Sequence, residues 1–156
     1  AEVADEAVTK LNAQIVFMPM QYPEDVKAAK KIVVKMKQPA CILKEDFTTR
    51  ELMSLVGNMD LMIGIRLHAL IFAGVMGTPM IGISYDPKID RFLKSIDEDV
   101  VGDLENVTVE ALMQEINAKW NNKEIYRNQN LKRMAKLRSL ARSNAEMALE
   151  FIDKNK

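Results

Sequence analysis

Asp60–Lys88, DLMIGIRLHALIFAGVMGTPMIGISYDPK, decides the fold of this chain. Asp60 to Ile65 is an apolar run of strand length, Leu67 to Met76 is apolar over the length of a helix, and Pro79 to Ser84 is a second buried-strand run. Strand, helix and strand in that order predict a crossover unit, and such units build parallel sheets with helices on both faces. Ligands in these sheets bind beyond the carboxyl ends of the strands, where the first amides and the dipole of the next helix favour an anion. Arg66 and the only histidine, His68, stand at that edge.

The flanking sequence repeats the alternation. Ala1 to Ala13 has helical spacing at Val3, Ala7, Val8 and Leu11, and Gln14 to Met18 follows as a short strand. Pro23, Glu24 and Asp25 open a helix that Val26 to Met36 continues, stopping before Pro39, and Ala40 to Leu43 is the next strand. Thr48 to Glu51 matches a capping box for a helix to about Val56, with Gly57 as its expected terminator. After the central unit, Asp86-Pro87-Lys88 starts a helix through about Ile96, Val100 to Gly102 is a short strand, and Thr108 begins a helix towards Trp120. Glu124 to Lys154 is amphipathic, as one helix or two pieces, suited either to packing on its own domain or to reaching a partner domain. Overall, residues 1–156 read as one Rossmann-like, doubly wound α/β domain with a mostly parallel sheet. The alternation begins with a helix where such sheets begin with a strand, so the chain is expected to be a piece of a longer protein whose first strand lies upstream.

Composition narrows the function classes. The 156 residues are 48% hydrophobic and 28% charged, enough to bury a core, and the 22 basic and 22 acidic residues cancel, so the total charge gives no argument for nucleic acid. A single cysteine, Cys41, rules out an internal disulfide, suits a reducing cytoplasm, and is expected in the core with its apolar neighbours Ala40, Ile42 and Leu43. No histidine, cysteine or carboxylate spacing supports a metal site, and the glycines spell neither a phosphate loop nor a dinucleotide fingerprint. Gly82, inside a strand, is expected to admit a close approach of backbone or ligand.

The candidate chemistry gathers at one rim. Arg66 closes its strand where a planar fork can hold phosphate or carboxylate through two parallel hydrogen bonds; an ion pair with a nearby Asp is the equal competitor. His68, in the first turn of the helix, can exchange a proton near neutral pH or donate to an anion held by Arg66, or it is simply a helix residue making one hydrogen bond. In a parallel sheet Ser84, Tyr85, Asp86 and Lys88 would neighbour them; Lys88 could add charge, and Asp86 could orient a hydroxyl or merely cap its helix.

Gly64-Ile65-Arg66-Leu67-His68-Ala69-Leu70-Ile71-Phe72-Ala73, with Gly77-Thr78-Pro79 and Gly82 to Lys88, closely resembles the polysaccharide pyruvyl transferase family. Phe17 to Gln21 and Asp25 look like that family's upstream block, and the nearest likeness is to the branch acting on the cell-wall polymer that anchors S-layer proteins. The resemblance runs from about Ile15 to Leu93 and implies the C-terminal half of a two-domain, GT-B-like enzyme, inactive without its N-terminal partner domain. It further implies transfer of the pyruvyl group of phosphoenolpyruvate to a lipid-linked sugar or polysaccharide acceptor as a cyclic ketal, with no metal or organic cofactor. The implied location is the cytoplasm, at large or peripherally at the inner face of the cell membrane. Arg66 and His68 would be catalytic, with Arg66, Leu67, His68, Ser84, Tyr85, Asp86 and Lys88 binding substrate. Two competing readings stand beside it: a nucleotide-sugar-dependent GT-B glycosyltransferase domain, whose donor diphosphate would use the same rim, and a noncatalytic α/β anion-binding module. Apolar surface left exposed on the C-terminal helix would favour self-association.

Overall fold

Each apolar run forms an element in the computed structural model, which describes residues 1–44 and 47–154. In chain order these are α1 (Glu2–Leu11), β1 (Ile15–Phe17), α2 (Glu24–Lys35), β2 (Ala40–Ile42), α3 (Thr49–Gly57) and β3 (Met62–Gly64). Then follow α4 (Leu67–Met76), β4 (Met80–Ser84), α5 (Pro87–Ser95), β5 (Val100–Asp103), α6 (Val109–Asn121) and α7 (Lys123–Lys154). Thr48 and Glu51 close both arms of the capping box of α3. That helix runs one residue further than the glycine signal suggests, with Asn58 as its cap, because Gly57 serves packing: a Cβ there would lie 2.6 Å from Met76 Cε. The C-terminal segment is one helix of 32 residues.

All ladders among the described residues are parallel, in two groups: β1 with β2, and β3, β4 and β5 in that order. β4 is buried along its whole length, as a strand with neighbours on both edges and helices on both faces must be. β3 is shorter than its apolar run. Its ladder begins at Met62, whose amide donates to Pro79 O, because Pro79 has no amide hydrogen to extend it, and it stops before the cap of α4 at Arg66.

Two cores lie on opposite sides of the β3–β5 ladder. On one side Val56, Leu70, Ala73, Met80, Ile89, Leu93, Ile96 and Met134 join α3, α4, α5 and α7. On the other, Ile81, Met113 and Ile116 pack with Val3, Leu11, Leu61 and Leu112, joining α1 and α6. Burying each of these aliphatic side chains stabilises the fold by about 1.5–3 kcal/mol before entropy is counted. Gly82 admits a side chain rather than backbone or ligand: a Cβ would come within 2.4 Å of Leu93 Cδ1. Cys41 also departs from expectation. It is exposed, because it alternates with the half-buried Ala40 and Ile42 on a strand with a ladder on one edge only.

Candidate functional site

Parallel pairing of Gly64 with Gly82 brings the ends of β3 and β4 level, so Arg66 and the stretch Ser84 to Lys88 share the carboxyl rim. Arg66 is the cap residue of α4, with extended backbone, and its guanidinium lies back towards α2. There Nη2 donates to Asp25 Oδ1 at 2.7 Å and Nε to Oδ2 at 3.3 Å, a two-pronged pair with both side chains largely buried. Asp25 is itself fixed: Oδ2 also accepts from the amides of Met20 (3.1 Å) and Gln21 (2.9 Å) in the loop after β1. Burial opposes charge on Asp25, but donation by Arg66 and the two amides outweighs it and holds the carboxyl below its ordinary pKa. Bonding to Asp25 in turn raises the pKa of Arg66 against partial burial, with Tyr85 adding to the effect, so Tyr85 belongs to the same cluster.

Tyr85 is exposed and Lys88 Nζ lies 5.7 Å from its ring centroid, in cation–π range. Asp86 caps α5, its carboxylate accepting from the Lys88 amide at 2.9 Å and pairing with Lys88 Nζ at 3.2 Å. Hydrogen bonding to Asp86 raises the pKa of Lys88 and keeps it a cation. Ser84 is turned inward, its hydroxyl donating to Asp90 Oδ2 at 2.5 Å, so in this structure it positions the start of α5. Leu67 packs against the core beneath α4, while His68 is exposed in the helix's first turn. Among the described helices α4 alone has no acid in its first turn, which leaves its N-terminal dipole uncancelled beside Arg66 and His68. The rim therefore carries Arg66 and Lys88, each paired with an aspartate, with His68 and the N-terminus of α4 next to Arg66 in the chain.

The structure shows the ion pair with an aspartate that stood as the equal competitor for Arg66; sequence reasoning did not single out Asp25 as the partner, although both residues lay in the quoted blocks. The available signal was topological, since Asp25 follows a parallel strand and must stand at the same rim as Arg66. It also missed Lys119, which is buried on α6 and donates to Met80 O and Glu98 Oε2, each at 2.6 Å, while Arg133 holds the other oxygen of Glu98 at 2.5 Å. No group of histidine, cysteine and carboxylate side chains among the described residues is arranged to hold a metal ion, and no described helix is long and apolar enough to cross a membrane.

The fold is that of an α/β protein with parallel strands and helices, compatible with a Rossmann-like domain. The family model for polysaccharide pyruvyl transferase matches residues 2–87, just over half of the 156, and the chain belongs to that family. The match takes in Asp25, Arg66, Leu67, His68, Ser84, Tyr85 and Asp86 and ends one residue short of Lys88. No curated protein and no solved structure matches the chain.

Proposed function

We propose that this domain supplies the donor-anion half of a transferase that moves the pyruvyl group of phosphoenolpyruvate onto two hydroxyls of a cell-wall sugar, as a cyclic ketal. The observation that supports the reading is the grouping of Arg66, Tyr85 and Lys88 at the rim beside the start of α4, whose first turn carries His68, within a chain of this family. Phosphoenolpyruvate carries a carboxylate and a phosphate on one small carbon frame, and two cations beside helix amides match that charge pattern.

The reaction places four demands on the site. A proton must reach the methylene carbon; the adjacent carbon, then cationic, takes the oxygen of one hydroxyl; the second hydroxyl displaces phosphate; and the two hydroxyl protons leave, one restoring the acid. In this proposal His68, in the first turn of α4, serves as proton donor or phosphate ligand. Asp25 fixes the plane of the Arg66 fork, and a fork held in this way would stabilise developing charge without rearrangement. In this proposal the acceptor is a lipid-linked sugar, bound in part by an N-terminal domain of a GT-B-like pair, and the enzyme works on the cytoplasmic side of the membrane, in the branch that prepares the polymer for S-layer anchoring.

The test is an assay of the full-length parent with phosphoenolpyruvate and a lipid-linked disaccharide. Phosphate release that depends on both substrates supports the reading. Turnover of a nucleotide sugar, with phosphoenolpyruvate inert, replaces it with a glycosyltransferase.

A further inference from the structure

From Val26 to Lys44 the sequence carries six lysines and no acid, in a chain whose formal charge is zero. Four of them, Lys27, Lys30, Lys31 and Lys35, lie on α2, and at 3.6 residues per turn they share an arc of about 140° with Val34. The other side of the helix is the one that packs: Ala29 is buried, and Ile32 and Val33 are half-buried. All four lysines are exposed, and Val34 among them is 85% exposed, the highest value of any described large apolar side chain. Elsewhere lysines find carboxylates, as Lys10 does in Glu6, Lys88 in Asp86, Lys119 in Glu98 and Lys123 in Asp60. Among the described residues no carboxylate pairs with the four on α2, whose own acids, Glu24 and Asp25, lie in its first turn, with Asp25 held by Arg66.

We propose that this face of α2 docks on an anionic bilayer surface, its lysines among the phosphates of phospholipid headgroups and Val34 at the same level. Lysine is a compact, hydrated point charge, drawn to a plane of phosphates without needing a shaped pocket. Each lysine close to such a surface strengthens binding about fivefold. Nucleic acid fits the face less well. No arginine stands between Val26 and Lys37 to grip a base edge through two parallel bonds, and no aromatic side chain stands there for a base to stack on.

The stripe also starts at the rim. Lys27 is two residues from Asp25, which holds Arg66, and the lysines then run about 12 Å along the helix at 1.5 Å of rise per residue. A docked α2 therefore keeps the rim at the level of the headgroups. The attraction stands on α2 alone; its use, to set the rim beside a lipid-linked acceptor, rests on the proposed function.

Co-sedimentation of the full-length parent with vesicles tests the surface, with phosphatidylcholine alone or mixed with phosphatidylglycerol. Binding to the mixture should exceed binding to phosphatidylcholine and should weaken as salt is raised, because exposed charges are screened. Lys30→Gln with Lys31→Gln should lower it about 25-fold, whereas Lys132→Gln with Lys136→Gln, the same charge removed from exposed positions on α7, should leave it unchanged. If the first pair disturbs folding by circular dichroism, Lys27→Gln with Lys35→Gln takes its place with the same expected loss. Equal losses from α2 and α7, no loss from α2, or equal binding to both kinds of vesicle overturns the proposal. Displacement of the vesicles by duplex DNA or single-stranded RNA at equal phosphate concentration also overturns it, since nucleic acid would then be the partner. Neither readout needs turnover, so failed docking leaves the proposed function standing, and an inactive enzyme that docks leaves this surface standing.

Discussion

Asp25 gives Arg66 its direction. A free arginine at a sheet rim samples many rotamers, whereas this one is gripped on two nitrogens by a carboxylate that two backbone amides also hold. Asp25→Asn should therefore loosen the fork rather than remove it, raising the KM for phosphoenolpyruvate in the full-length parent while Arg66→Ala removes the contact. Losing one charge-assisted contact costs ~1.5–3 kcal/mol, so Arg66→Ala should weaken donor use roughly tenfold to a hundredfold or more. His68→Ala should instead lower kcat by about a hundredfold to ten thousandfold if its imidazole delivers the proton. Steady-state kinetics separates the two, and a His68→Ala enzyme with intact kcat and weakened donor binding makes the histidine an anion ligand. The pair also has a pH signature. Because the folded pKa of Asp25 lies below its ordinary 3.8, the stability it contributes is complete above that value and is lost as the pH falls through the folded pKa. Below about pH 4 the urea midpoint of the wild-type chain should fall more steeply than that of Asp25→Asn.

Among the elements, the turn from α4 into β4 carries the most constraint. Gly77 ends α4 with φ 77°, a left-handed conformation, and a Cβ there would meet Leu131 Cγ of α7 at 2.8 Å. Thr78 beside it is fully buried, its hydroxyl donating to Val56 O at 2.7 Å and its carbonyl accepting from Asn130 Nδ2 at 2.9 Å. Thr78→Val removes this bond while Val56 O still accepts from the Met59 amide at 3.1 Å, and should cost about 0.5–1.5 kcal/mol in urea unfolding; an unchanged midpoint would show that the bond contributes little. Most of this layer was legible in the sequence. α4 begins at Leu67 and ends at Met76, as its unbroken apolar run indicates, and the capping box at Thr48 forms. Edge effects were less legible, since they depend on what lies beside a strand: Cys41 faces solvent because β2 pairs on one edge only, and β3 loses residues to Pro79. At the rim the sequence showed which residues share an edge, through strand order alone. Which oxygen accepts from which donor, as in Asp90 from the Ser84 hydroxyl or Asp25 from Arg66, depends on rotamers that no spacing encodes.

At the scale of the molecule, α7 divides into a packed half and a projecting half. Met134 and Asn130 are buried against the domain, but from Arg138 onward every described side chain is exposed, including Leu140, Met147, Leu149, Phe151 and Ile152. These exposed apolar side chains are expected to draw chains together, so Leu140→Lys with Met147→Lys should shift sedimentation towards the monomer without changing the unfolding midpoint. The projecting helix has a consequence for diffusion as well. Thirty-two residues at 1.5 Å of rise make a rod of about 48 Å, while a spherical domain of this length has a radius of gyration of ~15 Å. A monomer should therefore tumble anisotropically, with a scattering radius above the spherical value, and its NMR relaxation should distinguish amides along the rod from those across it.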